Sequence, residues 1–211
     1  MPTVVIGNNT GDDYSGTEDG RLIQATPNTN SGTVDVFDMI KAVSDQYTHS
    51  LIRFSGLSNI SAVATVSSAV LSLYHFNGTS VQTFSLRRLL RNWVEAQATW
   101  NIYSTDNNWS TAGATSDGND RSSGVSATLT NSSSVGRYRD SGDLSADVKS
   151  FINGDLTNNG WHGERTDGAD DGFVVRFRSS NTGDGYRPYL TVTYTESSGT
   201  GNTYYYQQMQ M

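Results

Sequence analysis

Cysteine is absent from the 211 residues, which removes disulfides, zinc–thiolate centres and cysteine nucleophiles together. Proline occurs only three times, so the 21 glycines signal turns and not a collagen-like or polyproline chain. Lysine is confined to Lys41 and Lys149, and basic residues number 14 against 21 acidic ones, a formal charge of −7. The arginines stand singly apart from Arg87-Arg88, whereas phosphate neutralisation needs a basic stripe; no nucleic-acid partner is expected. No run approaches the roughly 18 apolar residues of a spanning helix, so no membrane partner is expected either. Met1 to Gly7 lacks the basic and apolar regions of a signal peptide, and no leader is expected there. Also missing are a Gly-x-Ser-x-Gly elbow, a phosphate-cradling loop and a His-Glu-x-x-His helix. The expectation is a chain without catalytic activity or cofactor.

What the chain does have is alternation. Arg187-Pro188-Tyr189-Leu190-Thr191-Val192-Thr193-Tyr194 alternates with period two, as a strand does when one face packs and the other is wetted. Phe173 to Arg178 repeats the pattern, with Phe173, Val175 and Phe177 on one side and Arg176 and Arg178 on the other. Val66 to Phe76 is the strongest case, with Ala69, Leu71 and Leu73 facing one way. Shorter strands are expected at Val4–Ile6, Arg21–Thr26, Thr33–Phe37, Ser50–Phe54 and Val125–Leu129. Asn77-Gly78 signals a hairpin, with Val81–Leu86 as its return strand. Met39, Ile40 and Val43 are compatible with a helical turn. One helix is expected over Leu144–Asn153: Ser145 caps it, Leu144, Val148, Phe151 and Ile152 form its apolar stripe, and Gly154 stops it. Residues 104–141, rich in Ser, Thr, Asn, Gly and Asp, read as long surface loops. The fold class is therefore all-β: a jelly-roll antiparallel β-sandwich with one short helix and a flexible C-terminal arm, divided as 1–195 and 196–211.

Candidate site residues follow from side-chain chemistry. Trp109, Tyr138, Trp161 and Tyr186 sit in loop-like stretches, and pyranose faces stack on exposed rings; these four are the ligand-binding candidates, with burial in the core as the competing reading. Trp93 and Trp100 are assigned to packing. The histidines are His49, His75 and His162, and only His162 has both acidic and basic neighbours, in Trp161-His162-Gly163-Glu164-Arg165. Such a trio suits acid–base work on a sugar acid, or forms ordinary loop hydrogen bonds. Asp12-Asp13, Asp117 to Asp120 and Asp167 to Gly172 are acidic turns able to offer calcium hard oxygen ligands, but none has EF-hand spacing and the same residues build turns for backbone reasons. No metal ligand is assigned. Arg137/Arg139 and Arg176/Arg178 suit fork-shaped pairing with a partner's carboxylates.

The C-terminus stands apart. Glu196 to Thr203 reads as a flexible linker, and Tyr204-Tyr205-Tyr206-Gln207-Gln208-Met209-Gln210-Met211 carries no charged side chain. It is either a frayed end or an arm whose Tyr204, Tyr205, Tyr206, Met209 and Met211 dock on a partner.

The order of these segments resembles the DNRLRE family, a jelly-roll module related to carbohydrate-binding modules. The resemblance is carried by Ser50 to Phe54, Val66 to Tyr74, Trp93-Val94-Glu95 with Thr99-Trp100-Asn101, and Trp109 before Gly113. It continues through Asp143 to Gly154, Asn158-Asn159-Gly160-Trp161, Phe173 to Ser179 and Arg187 to Tyr194. It covers most of residues 5–195 and departs after Arg53-Phe54, where Ser55-Gly56-Leu57 replaces the usual Asp-Leu. The resemblance implies either a structural protein of a tailed phage or a glycan-binding module. The first implies a homo-oligomer on the virion surface with capsid or tail proteins as partners. The second implies a polysaccharide partner, either free-standing or as part of a secreted enzyme or adhesin.

Overall fold

A computed structural model of the chain describes residues 1–7, 16–42, 46–168 and 173–196. In chain order its strands are β1 (Thr3–Gly7), β2 (Thr17–Ile23), β3 (Val36–Asp38), β4 (Ile40–Ala42), β5 (Gln46–Phe54), β6 (Thr65–Asn77) and β7 (Thr83–Arg88). There follow β8 (Ile102–Ser104), β9 (Asn107–Asn108), β10 (Ala127–Thr130), β11 (Arg137–Asp140), helix α1 (Ser145–Asn153), β12 (Trp161–Arg165), β13 (Arg176–Arg178) and β14 (Tyr189–Thr195). All named strand pairs are antiparallel.

Two sheets form the sandwich. The first runs β1-β14-β6-β13-β3 with β11 also on β6; the second runs β10-β7-β12-β5-β2 with β4 also on β5. Within them lies an eight-strand frame, β1-β14-β6-β11 facing β5-β12-β7-β10. Successive frame strands β5 to β6, β6 to β7, β10 to β11, β11 to β12 and β12 to β14 change sheet, the winding of a jelly roll. The inner faces meet in one core built by period-two alternation: Ala69, Leu71 and Leu73 from β6, Leu190 and Val192 from β14, Ile52 and Phe54 from β5, and Phe84 and Leu86 from β7. Helix α1 closes one end through Leu144, Val148 and Phe151.

A second, smaller core covers the outer face of the second sheet. Leu22 from β2 and Leu51 from β5 face outward there, and the segment 89–114 folds over them with Leu89, Trp93, Trp100 and Trp109. The Trp93 and Trp109 indoles donate to the Asn159 and Thr99 carbonyls, each at 2.9 Å. Buried indole N–H groups are thus satisfied, which lets a polar-looking loop become a packed lid.

Several expectations change. Asn77-Gly78 does turn the chain, with Gly78 at φ +93° and a Cβ there colliding with the Val174 carbonyl oxygen. It does not make a hairpin, however: β6 and β7 lie in opposite sheets, because Phe84 and Leu86 fill the core from the other side. Phe173 is exposed while Val175 and Phe177 are buried, since β13 begins only at Arg176. Ile40 lies in strand β4, which pairs with β5, and not in a helical turn. The N-cap position is Leu144 and not Ser145, and it makes no side-chain cap hydrogen bond; one residue earlier, the Asp143 carboxylate accepts the Ser145 N–H (3.1 Å) and hydroxyl (2.5 Å), and Gly154 stops the helix with φ +79° as expected. The loops of 104–141 also contain β11, a polar strand that pairs with the outer half of β6.

Candidate functional site

Two clusters concentrate the chemistry, one on each outer face. On the first sheet, alternation along β6 sends Tyr74 outward, and register brings Tyr138 of β11 directly opposite it. Tyr189 opens β14 beside Ser72, and the loop 182–187 lays Tyr186 over the group. Tyr186 stacks on Tyr74 with centroids 4.1 Å apart and planes 14° from parallel. Tyr138 meets Tyr74 edge-on at 5.2 Å and Tyr189 at 4.9 Å. The loop is tied down: Tyr138 Oη donates to the Arg187 carbonyl (3.3 Å), and Asp184 accepts the Thr182 hydroxyl (2.7 Å) and the Tyr186 N–H (3.1 Å). Arg178 pairs with Asp184 at 2.7 Å and lies 4.1 Å from the Phe76 ring centroid. Burial, aided by the neighbouring tyrosines and Asp184, pushes the Tyr138 hydroxyl up to about 12, so it stays protonated at neutral pH. Tyr186 remains 45% exposed. The result is a rigid tyrosine face with an open outer ring.

Two of the four aromatic candidates, Tyr138 and Tyr186, therefore come together. The other two do not. Trp161 is 0% and Trp109 4% exposed. Trp161 lies between the sheets, its indole donating to Asp147 Oδ2 at 2.9 Å, and Trp109 belongs to the lid, so neither offers a ring face to a sugar. In the sequence alone, Tyr74 and Tyr189 read as part of the wetted face of alternating strands; cross-strand register is the signal that groups them with Tyr138. Of the arginine faces, Arg176 and Arg178 approach Asp38 (3.7 Å) and Asp35 (3.5 Å), Arg139 donates to the Ser134 carbonyl (2.5 Å), and Arg137 is exposed.

On the second sheet, β12 lies beside β5 with His162 opposite Leu51, which brings His162 next to His49 with ring centroids 4.8 Å apart. Both rings lean on one carbonyl: His49 Nδ1 and His162 Nε2 donate to the Gly113 oxygen at 2.9 and 3.1 Å. Arg121 enters from the loop, donating to His162 Nδ1 (3.2 Å) and pairing with Glu164 (2.8 Å) and Asp117 (2.8 Å). Burial first, then His49 and the Arg121 charge, hold His162 well below the ordinary histidine range; burial also lowers His49. Both are neutral at pH 7. His49, His162 and Glu164 place one ligand atom each within 4.8 Å of one another, the spacing of a metal centre. The Arg121 guanidinium lies between His162 and Glu164, donating to the first and ion-pairing with the second, so the trio belongs to a hydrogen-bond and ion-pair network. Arg165, the neighbour expected to join His162, turns instead to Asp167 (3.0 Å).

Beside this network lies a cavity of about 380 Å³ walled by Tyr47, His49, Trp100, Lys41, Gln24 and Glu164. As for calcium, Asp120 accepts the Ser110 and Thr111 N–H groups (2.8 and 2.9 Å) and approaches Arg91, so the Asp117–Asp120 turn spends its carboxylates within the protein. Asp12, Asp13, Asp170 and Asp171 lie outside the described residues, as do Tyr204, Tyr205, Tyr206, Met209 and Met211 of the arm. Among the described residues no helix is long and apolar enough to cross a membrane. No family model matches the chain, and no curated protein matches it.

Proposed function

We propose that the chain is a non-catalytic structural module of a phage particle, a jelly roll that self-associates and docks on capsid or tail proteins. The observation that carries this reading is the tyrosine face. Three strand tyrosines, Tyr74, Tyr138 and Tyr189, joined through ring contacts by Tyr186 from the loop 182–187, present apolar area with little side-chain freedom left to lose, and tyrosine is enriched where proteins meet. The resemblance to the DNRLRE family and the uncharged Tyr/Gln/Met segment 204–211 support the same reading. So does the histidine network, in which both imidazole N–H groups are committed to a backbone carbonyl. A second reading, a carbohydrate-binding module, is favoured by the exposed ring of Tyr186.

Light scattering on the full-length chain and on a chain ending at Glu196 separates the two. Under the structural reading the full chain is a defined oligomer, and both the truncation and Tyr186→Ala shift it toward monomer. A monomer in all three cases would sink that reading; loss of polysaccharide binding in Tyr186→Ala and Tyr138→Ala would then establish the second.

A further inference from the structure

The end of the sandwich closed by α1 carries a groove that the described residues leave open. It lies between the last turn of α1 and the short 3-10 helix Ser55–Asn59 that follows β5, and its volume is about 570 Å³. Leu57, Ile60 and Phe151 form its floor. All three are buried members of the main core, and the half-buried Ile152 packs against the same cluster. Ser58 and Ser61 stand exposed on the rim. The groove therefore offers an apolar floor edged by hydroxyls. In a chain with 17% charged residues, Glu196 is the one charged side chain among its described lining residues.

Glu196 is also where the chain leaves β14, whose last residue is Thr195. Segment 197–211 thus starts at the groove itself. Its first seven residues, Ser197 to Thr203, are Ser, Gly, Thr and Asn, and a linker of that kind and length has a root-mean-square span of roughly 15 Å. Such a tether holds Tyr204 to Met211 near the groove at an effective concentration on the order of millimolar, so even weak contacts fill the site. The side-chain chemistry matches. No residue of 197–211 carries a charged side chain. A tyrosine lays an apolar ring on an apolar floor and keeps its hydroxyl at a polar rim, methionine fills irregular apolar gaps, and glutamine carboxamides exchange hydrogen bonds with serine hydroxyls.

We propose that this groove is the seat of segment 204–211 of the same chain. The groove is smaller than the eight residues offered to it, so Tyr and Met side chains left outside it remain for a partner; the seat is compatible with the assembly reading and does not depend on it. Because the chain has no cysteine, one introduced pair reports the seat. In the full-length Ser61→Cys/Gln208→Cys variant, held dilute under a mild oxidant, a disulfide should close within one chain. It should close about tenfold faster than when Tyr204→Ser, Tyr205→Ser and Tyr206→Ser are added, which keep the tether and remove the rings. The isotopically labelled full-length protein should also differ from a chain ending at Glu196 in the amide resonances of Ser58, Ile60 and Ile152, and dilution should leave those differences unchanged. Equal closure with and without the tyrosines, a disulfide formed mainly between two chains, or amide differences absent from the groove would each overturn the assignment. Native mass decides the assembly reading separately on the same samples.

Discussion

Trp161→Ala should lower stability by about 4 kcal/mol and Tm by roughly 10 °C. Trp161 opens β12, and β12 is held between β5 and β7 by pairs to Ile52 and Arg88. Its ring is wholly buried and meets Phe151 of α1 with centroids 5.7 Å apart, so truncation empties the space between sheet and helix. The neighbouring backbone cannot close over the void. Gly160 sits at φ +72° against the Ile52 carbonyl, and the strand on either side is pinned by its ladder. The indole also donates to Asp147, which pairs with Arg88 at 3.5 Å. Trp161→Phe separates the two contributions: it keeps most of the packing and loses the charge-assisted hydrogen bond, a cost of about 2 kcal/mol. Urea denaturation followed by circular dichroism measures both. Near-wild-type stability in Trp161→Ala would contradict the packing account and return this ring to the ligand-binding candidates.

Trp161 also marks the limit of what the chain discloses on its own. The alternation of Val66–Phe76 and Tyr189–Tyr194 was legible because a half-buried strand prints its burial in every second residue. Gly154 was legible because a left-handed helix stop favours glycine. Trp161 and Trp109 were not, because polar neighbours such as Asn158, Asn159 and Ser110 make a buried segment look like a surface loop. The Asn77-Gly78 pair signals a turn, which the structure has, and a hairpin, which it does not. Turn chemistry fixes local dihedrals, whereas the choice between pairing with β6 and crossing to the other sheet is made by Phe84 and Leu86, whose partners are remote in sequence. The same remoteness hid both clusters. Tyr74, Tyr138, Tyr186 and Tyr189 meet only through the pairing of β6 with β11 and β14, and His49 reaches His162 only through that of β5 with β12.

Asp19→Asn should make the protein more stable than wild type in alkali by up to about 4 kcal/mol, with the gap closing as the pH falls to 4. Asp19 lies in β2 and is 1% exposed. Its Oδ2 accepts the Ser180 N–H at 2.6 Å, and its own N–H donates to Glu95 Oε1 at 2.8 Å, so the residue ties the edge of the second sheet to the loop after β13 and to the lid. Burial, reinforced by the Glu95 carboxylate and only partly offset by the Ser180 hydrogen bonds, pushes its carboxyl up to about 7. In the unfolded chain the same group titrates near 4. Between those values the folded protein holds a proton that the unfolded chain has released. The stability this proton contributes is full below about pH 4 and is lost as pH rises through 7, where the buried group must ionise. Asparagine keeps the carbonyl that accepts from Ser180 and never ionises, so it carries no such loss. Because the variant shares the remaining titrating groups, His49 and His162 included, the wild-type-minus-variant difference reports Asp19 together with its coupling to Glu95. Urea titrations at pH 4, 6, 7 and 9 should therefore give a difference that opens through the middle two points and is level above pH 8. A difference independent of pH, or a variant weaker than wild type at pH 9, would mean that Asp19 is an ionised acceptor in the folded protein and that the contact with Ser180 outweighs its burial.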